Sequence, residues 1–131
     1  MFYITNIQWN VHRAFAMLCK CLKWRIETNV IDIMAKGDVG LGAEDKDFAR
    51  QGPAAKAYAV GMTDNLMPII YIHVKRHIAK EQGADTMTKY VISCAESFRR
   101  IVRQPMEKIV IVFNLSGFSM KNMDWHSLLT I

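Results

Sequence analysis

Three cysteines, four histidines and a serine after an apolar run are the side chains here whose chemistry can be tested by spacing. Cys19 and Cys21 stand two apart on a predicted helix, so their side chains diverge and do not share one ion. His12, His73, His77 and His126 show no ligand spacing. Gly37-Asp38-Val39-Gly40-Leu41-Gly42 is glycine-rich, but it follows a helical pattern and lacks the Lys-Ser/Thr of a phosphate loop. Ser116 follows a strand, as a reactive serine on an α/β fold would. It lacks a glycine two positions earlier, and no Asp/His pair stands ready to activate it. These residues favour no catalytic centre, no metal site and no resident cofactor, so the expected activity is binding and not turnover.

Charge and composition narrow the partners. The chain has 131 residues, of which 51% are apolar and 22% charged, an ordinary globular composition. Seventeen Lys and Arg against twelve Asp and Glu give a formal charge of +5, which favours an anionic partner. The clusters Lys20-Lys23-Arg25, Lys75-Arg76-Lys80 and Arg99-Arg100-Arg103 are dispersed over different elements without interleaved aromatics. That arrangement argues against nucleic acid and reads first as a solvated charged face, with transient contact to an anionic membrane surface as the alternative. No apolar run approaches the ~18–20 residues a spanning helix needs. Three cysteines cannot all pair with one another, and no basic flank precedes an apolar stretch at the N-terminus; both features fit a cytoplasmic protein peripheral to membranes.

The elements that must position these residues follow from periodicity. Asn10 is a candidate cap for a helix with Val11, Phe15, Leu18 and Leu22 at helical spacing. Asn29 to Met34 reads as a second helical stretch, stopped at Gly37. Residues 37–55, with four glycines and a proline among charged residues, read as a linker between a helical segment, 1–36, and the domain over 56–131. Strands are predicted over Lys56–Met62 and Ile69–Val74, with Asp64-Asn65 turning between them. In the second strand Ile70, Ile72 and Val74 share one face, and Ile69, Tyr71 and His73 the other. A helix capped by Asp85 or Thr86 follows, with Met87, Tyr90, Val91, Cys94, Phe98 and Ile101 as its buried stripe, and Pro105 ends it. Lys108–Leu115 is apolar on both faces, which suits an interior strand, but with three strands in the sheet it is expected nearer an edge than its composition suits. Asn122 can cap a last short helix through Leu129. The fold class is α/β, a helical segment followed by β-β-α-β-α.

Three stretches together resemble CRAL-TRIO lipid-binding proteins, in the style of fungal phosphatidylinositol-transfer-like members. The first is Gln8-Trp9-Asn10-Val11 leading through Ala14-Phe15-Ala16-Met17-Leu18 to Lys23-Trp24-Arg25-Ile26-Glu27. The second is Lys56-Ala57-Tyr58, Gly61, then Pro68-Ile69-Ile70-Tyr71-Ile72-His73-Val74, with Glu96 ahead of Arg99-Arg100 further on. The third is Ile111-Val112-Phe113-Asn114-Leu115-Ser116-Gly117-Phe118-Ser119, then Asn122-Met123-Asp124-Trp125. Departures from the family pattern are Asn114 for an Asp, Leu66-Met67 for a Gly-Arg before the strand-starting proline, and Ile7-Gln8 for two basic residues tied to phosphoinositide binding in some members.

The resemblance implies a phospholipid or other hydrophobic lipid as ligand, held without chemical conversion, and phospholipid transfer as the activity. It implies Tyr71, His73, Phe113 and Ser119 as lipid-binding residues, with Ser119 nearest the headgroup. Family domains extend beyond the Ser-Gly-Phe-Ser segment, so the expectation is an incomplete, truncated CRAL-TRIO domain. The alternative is a fragment without lipid transfer, acting as a protein-interaction module or without independent function. In either case the three-stranded sheet is expected to expose apolar surface and to self-associate through it.

Overall fold

The computed structural model describes residues 10–81, 83–103 and 108–123. The Ile7-Gln8 pair, Pro105 and the expected helix through Leu129 lie outside them. The chain divides into two compact units, Met1–Ala35 and Lys36–Ile131.

In the first unit, α1 (Val11–Glu27) begins where expected. The Asn10 Oδ1 accepts the Arg13 N–H at 3.0 Å, satisfying one of the free amides of the first turn. Thr28 closes the helix, its hydroxyl donating to the Trp24 carbonyl at 2.7 Å. Ala14 is the buried residue of α1. Asn29, at φ 52°, reverses the chain into α2 (Val30–Glu44), where Val30 and Ile33 are buried. Helix α2 is broken at Gly37, at φ 61° and ψ −177°, a backbone state that glycine alone adopts cheaply.

The second unit corrects the reading of residues 37–55 as loop. After Gly37 the chain is helical to Glu44, then forms α3 (Lys46–Ala49) and α4 (Gln51–Ala54). Leu41, Phe48 and Gln51 are buried along this stretch, so it carries core. Glycine content misled because Gly42 serves close packing: a Cβ there would meet the Ala49 Cβ at 3.3 Å. Asp45 caps α3, its Oδ1 accepting the Asp47 and Phe48 amides at 2.9 and 3.1 Å.

Helix α5 (Ala84–Ile101) starts from Gly83, not from Asp85 or Thr86. Those two residues are otherwise engaged. Asp85 pairs with Lys89 one turn on, at 2.6 Å, and the Thr86 hydroxyl donates to Asp45 Oδ2 at 2.7 Å. One turn pair later the Ser93 hydroxyl donates to Asp38 Oδ1 at 2.7 Å. The buried residues of α5 are Thr86, Tyr90, Ile92, Ser93 and Glu96, while Met87, Val91, Cys94, Phe98 and Ile101 are only half-buried. The expected stripe was chosen by apolarity. Hydroxyls go inside here because two carboxylates meet them, and a hydrogen-bonded polar group is cheap to bury.

The sheet has the order β1-β2-β3. Strand β1 (Ala57–Met62) pairs antiparallel with β2 (Pro68–His73), with a bulge between Ala59 and Gly61. Strand β3 (Val110–Asn114) pairs parallel with β2, so α5 is the crossover of a β-α-β unit. The expected helical segment followed by β-β-α-β is therefore present. The 108–115 strand, interior by its composition, lies at an edge here, as a three-stranded sheet implies. Among the described residues β3 is an edge strand, and Ile111, Val112 and Phe113 are 46%, 38% and 59% exposed. Strand β2 holds the central place because both neighbours in sequence order pair with it.

In the β1–β2 connection Leu66 sits at φ 60°, with its amide bonded to the Thr63 carbonyl at 2.9 Å. This is the position where the CRAL-TRIO pattern carries glycine, and the left-handed backbone explains why glycine suits it. Asn122 is the expected cap of a helix that lies outside the described residues. It is the last residue of a single 3-10 turn, Met120–Asn122, and Ser119 is that turn's cap.

Candidate functional site: the open face of the sheet

Cross-strand register sorts the sheet residues by face, because partners in register point the same way. Ala59, Ile70 and Ile111 form one row, and Ala57, Ile72 and Phe113 the next. Pro68 and Ile70 on this face are fully buried. Ala57 also lines a hollow of about 540 Å³ together with Phe48 and with Tyr90, Ser93, Cys94 and Phe98 of α5. This is the closed face, covered at β2 and exposed at β3, where Ile111 and Phe113 are 46% and 59% exposed. The opposite face carries Tyr58, Tyr71 and Val112 in one row, and His73 beside Asn114 in the next.

The open face is an aromatic cluster with a polar end. Tyr58 and Tyr71 have ring centroids 6.0 Å apart, and Tyr71 meets His73 edge-on at 4.9 Å. The Tyr58 hydroxyl lies 3.1 Å from His73 Nε2. Asn114 Nδ2 approaches His73 Nδ1 at 3.5 Å. The Ser116 amide donates to Asn114 Oδ1 at 2.9 Å, which leaves the amide nitrogen to face the histidine. His73 is held below its ordinary value, first by lost hydration and then by the Arg76 and Lys75 charges. Tyr58 is 39% and Val112 38% exposed, while Tyr71 and His73 are half-buried. Such a surface offers apolar contact along its length and hydrogen bonds at one end.

Because β2 and β3 are parallel, their carboxyl ends coincide at His73 and Asn114. Open α/β sheets place ligands at this end. The segments beyond are tied together there. The Asn122 amide donates to the carbonyls of Lys75 and His77, at 3.1 and 2.7 Å. Ser119 donates to Asn122 Oδ1 through both its amide and its hydroxyl, at 2.8 and 3.0 Å. The Arg76 guanidinium donates to the Ala55 carbonyl at 2.9 Å.

Of the four residues expected to bind lipid, the structure brings Tyr71 and His73 together. Phe113 stands on the other face, paired with Ile72, and cannot line the same surface. Ser119 lies beyond the carboxyl end of β3, with its hydroxyl engaged in the 3-10 cap. Tyr58 was missed. Its signal was available in the hairpin, since a turn centred on 64–65 pairs it with Tyr71. Asn114 was noted only as a departure from a pattern, although its register places it against His73.

The chemistry on the closed side is subdued. Burial pushes the Cys94 thiol up, away from a reactive thiolate, and pushes the Tyr90 hydroxyl up as well. Burial lowers Lys56, which lies 6.0 Å from the Tyr90 ring centroid, while Glu81 acts in the opposite sense. Among the described residues no three His, Cys, Asp or Glu gather as a metal site, and no helix is long and apolar enough to cross a membrane.

Comparison with known proteins agrees with this geometry. The CRAL/TRIO domain model matches residues 54–131. The phosphatidylinositol transfer protein CSR1 of Eremothecium gossypii is 32% identical over 125 residues, covering 94% of this chain and 29% of that protein. The CRAL-TRIO domain-containing protein C3H8.02 of Schizosaccharomyces pombe is 32% identical over 119 residues, covering 90% of this chain and 26% of that protein. The chain thus spans less than a third of the length of these curated relatives. With the domain model matched from the hairpin onward and similarity running through the helical segment, this chain belongs to the CRAL-TRIO family.

Proposed function

We propose that the chain binds a phospholipid without chemical conversion, with acyl carbon along Tyr58, Tyr71 and Val112 and polar headgroup atoms toward His73, Asn114 and Ser119. One observation carries this reading: the face of Tyr58, Tyr71 and His73 is an aromatic cluster with hydrogen-bonding groups at one end, opposite the apolar face on which Pro68 and Ile70 are buried. Family membership supports the lipid class, and one relative is a phosphatidylinositol transfer protein by name. Transfer between membranes, and a cytoplasmic protein peripheral to them, belong to the same proposal.

The test is retention of a fluorescent phosphatidylcholine by the whole chain. Tyr58→Ser with Tyr71→Ser should weaken it tenfold or more, and Phe113→Ser should leave it within about twofold. Equal losses would overturn the assignment of faces. Ile7-Gln8 stand where basic residues would otherwise contact inositol phosphates, and their side chains cannot supply charge-assisted hydrogen bonds. Phosphoinositide vesicles should therefore bind no more tightly than other anionic vesicles of equal charge.

The exposed edge strand favours a second reading, an interaction module that pairs through β3. Ile111 and Phe113 are exposed on the side opposite Tyr71. If that edge pairs with a second copy, Phe113→Lys should abolish micromolar self-association seen by light scattering. Lipid retention would be unaffected by it.

A further inference from the structure

Helix α1 carries two apolar surfaces, and its own unit buries one of them. Ala14 is buried, and Met17 and Cys21 on the same side are half-buried. A second stripe follows from Val11, Phe15, Leu18, Leu22 and Ile26. At helical periodicity these five fall within an arc of ~80°, over about four turns. Val11 is 65%, Phe15 67%, Leu22 51% and Ile26 77% exposed. Leu18, between them, is half-buried, and side chains of that size in one row form a surface and not scattered exposure.

The charges around the stripe have one dominant sign. Arg13, Lys20 and Lys23 are exposed on α1 against one carboxylate, Glu27, while Arg25 is half-buried. Lys23 and Arg25 flank the C-terminal end of the stripe, while Arg13 and Lys20 lie on the far side, within a helix diameter of it. Glu27 lies 3.8 Å from Lys23, and both are well exposed, so the pair leaves most of the positive field in place. A helix seeking a second copy of itself would place both signs beside the stripe, as paired helices do. Nearly uniform positive charge opposes that pairing and complements an anionic surface.

We infer that α1 is a membrane-docking element that lies in the interface of an anionic bilayer, its outer stripe set into the headgroup–acyl boundary and its cations among lipid phosphates. Basic helices with such a stripe partition this way, by apolar insertion strengthened by attraction to acidic lipid. The inference is independent of the open sheet face, since docking requires no lipid to leave the bilayer.

The experiment is co-flotation of the whole chain with vesicles of phosphatidylcholine alone or with 30% phosphatidylserine, at low and at physiological salt. Phe15→Ser with Leu22→Ser should lower partition tenfold or more at both salts, while helicity stays unchanged because both residues are exposed. Lys20→Glu with Lys23→Glu should remove the preference for phosphatidylserine. A fluorophore on Phe15→Cys, in a chain freed of its own cysteines, should shift to the blue on adding vesicles. Unchanged flotation of the serine variant overturns the inference, as does a loss explained wholly by Lys75→Glu with Arg76→Glu on the other unit. If the serine variant instead abolishes dimers seen by light scattering and leaves flotation intact, the stripe is a contact between copies and the inference is wrong. Retention of fluorescent lipid should be the same in the serine variant as in the native chain at limiting vesicle-free conditions, which separates this test from that of the sheet face.

Discussion

Ile70 and Tyr71 are neighbours on one strand, and the fold treats them oppositely. Ile70 is 1% exposed among Pro68, Ala59 and the α5 side of the unit, whereas Tyr71 opens onto Tyr58 and His73. Both faces of β2 read as apolar in sequence. The difference lies in what covers them. One face meets a helix that was selected for packing, including hydroxyls matched to carboxylates. The other meets rings whose edges and polar atoms remain available. The deepest burial belongs to the first face and the proposed recognition to the second, so substitutions one residue apart should separate them.

The largest effect belongs to Ile70→Ala. Truncating a fully buried isoleucine should cost about 3 kcal/mol, through lost burial and the cavity left behind. Tyr71→Ala should cost about half as much or less in urea unfolding, because its ring is only half-buried. Equal costs would mean that the open face is core, and the contrast between the faces would collapse.

Asp45 probes the polar fastening of the closed side. It caps α3 and accepts the Thr86 hydroxyl, so Asp45→Ala should cost about 2 kcal/mol through a lost cap and a buried hydroxyl without its partner. The Thr86 hydrogen bond is the leading cause that holds the Asp45 carboxyl below its ordinary range, ahead of burial, which opposes it. A depressed carboxylate contributes stability that is present above its unfolded value and is lost as pH falls through the folded one. The native urea midpoint should thus fall further between pH 5 and pH 2 than that of Asp45→Asn, which keeps an acceptor but does not titrate. Parallel curves would assign the acid sensitivity elsewhere.

How much of this was legible follows from where pattern and partner agree. Asn10, the strand pair and the alternation along β2 were readable because local chemistry and periodicity fix them. Residues 37–55 were not, because glycine signals freedom in sequence and close packing in space, as at Gly42. Ser93 and Thr86 were hidden on α5 because a hydroxyl becomes a core residue only once a distant carboxylate is known to face it. The site was half legible. Tyr71 and His73 share a face by alternation within one strand, but the exclusion of Phe113 and the inclusion of Tyr58 both depend on register between strands.

Leu66 tests the hairpin that carries both faces. A leucine at φ 60° pays roughly 1 kcal/mol relative to glycine in the same backbone state, and this side chain is 67% exposed, so little packing is lost with it. The entropy of a more flexible unfolded chain offsets part of that gain. Leu66→Gly should raise stability by about 0.5 kcal/mol and leave lipid retention unchanged, since it acts on neither face. A drop in stability would show that Leu66 contributes packing that its exposure does not reveal.

The smallest effect is the titration of His73, and it reports on the open face directly. The Ser116 amide bonds Asn114 Oδ1, so the Asn114 nitrogen points at His73 Nδ1 as a donor. Nδ1 then accepts, the ring proton resides on Nε2, and Nε2 donates toward the Tyr58 oxygen. Protonating Nδ1 would set two donors against each other, with Lys75 and Arg76 nearby adding repulsion. Lost hydration leads the depression and these charges add to it, so the native imidazole should titrate below about 6.5. The sign follows from proton binding. Below that value the unfolded chain takes up a proton that the folded one refuses, so this group's contribution to stability is present at neutral pH and declines as pH falls through that window. Asn114→Asp replaces a donor with an anionic acceptor. It should move the proton to Nδ1, raise the histidine above 6.5 and reverse the slope, while Ile70 and the closed face remain unaffected. Nitrogen-15 shifts of the imidazole, followed through pH in the native chain and the variant, read both the tautomer and the midpoint. A native midpoint at or above the ordinary value, or the same tautomer in both proteins, would show that Asn114 does not set the state of the open face.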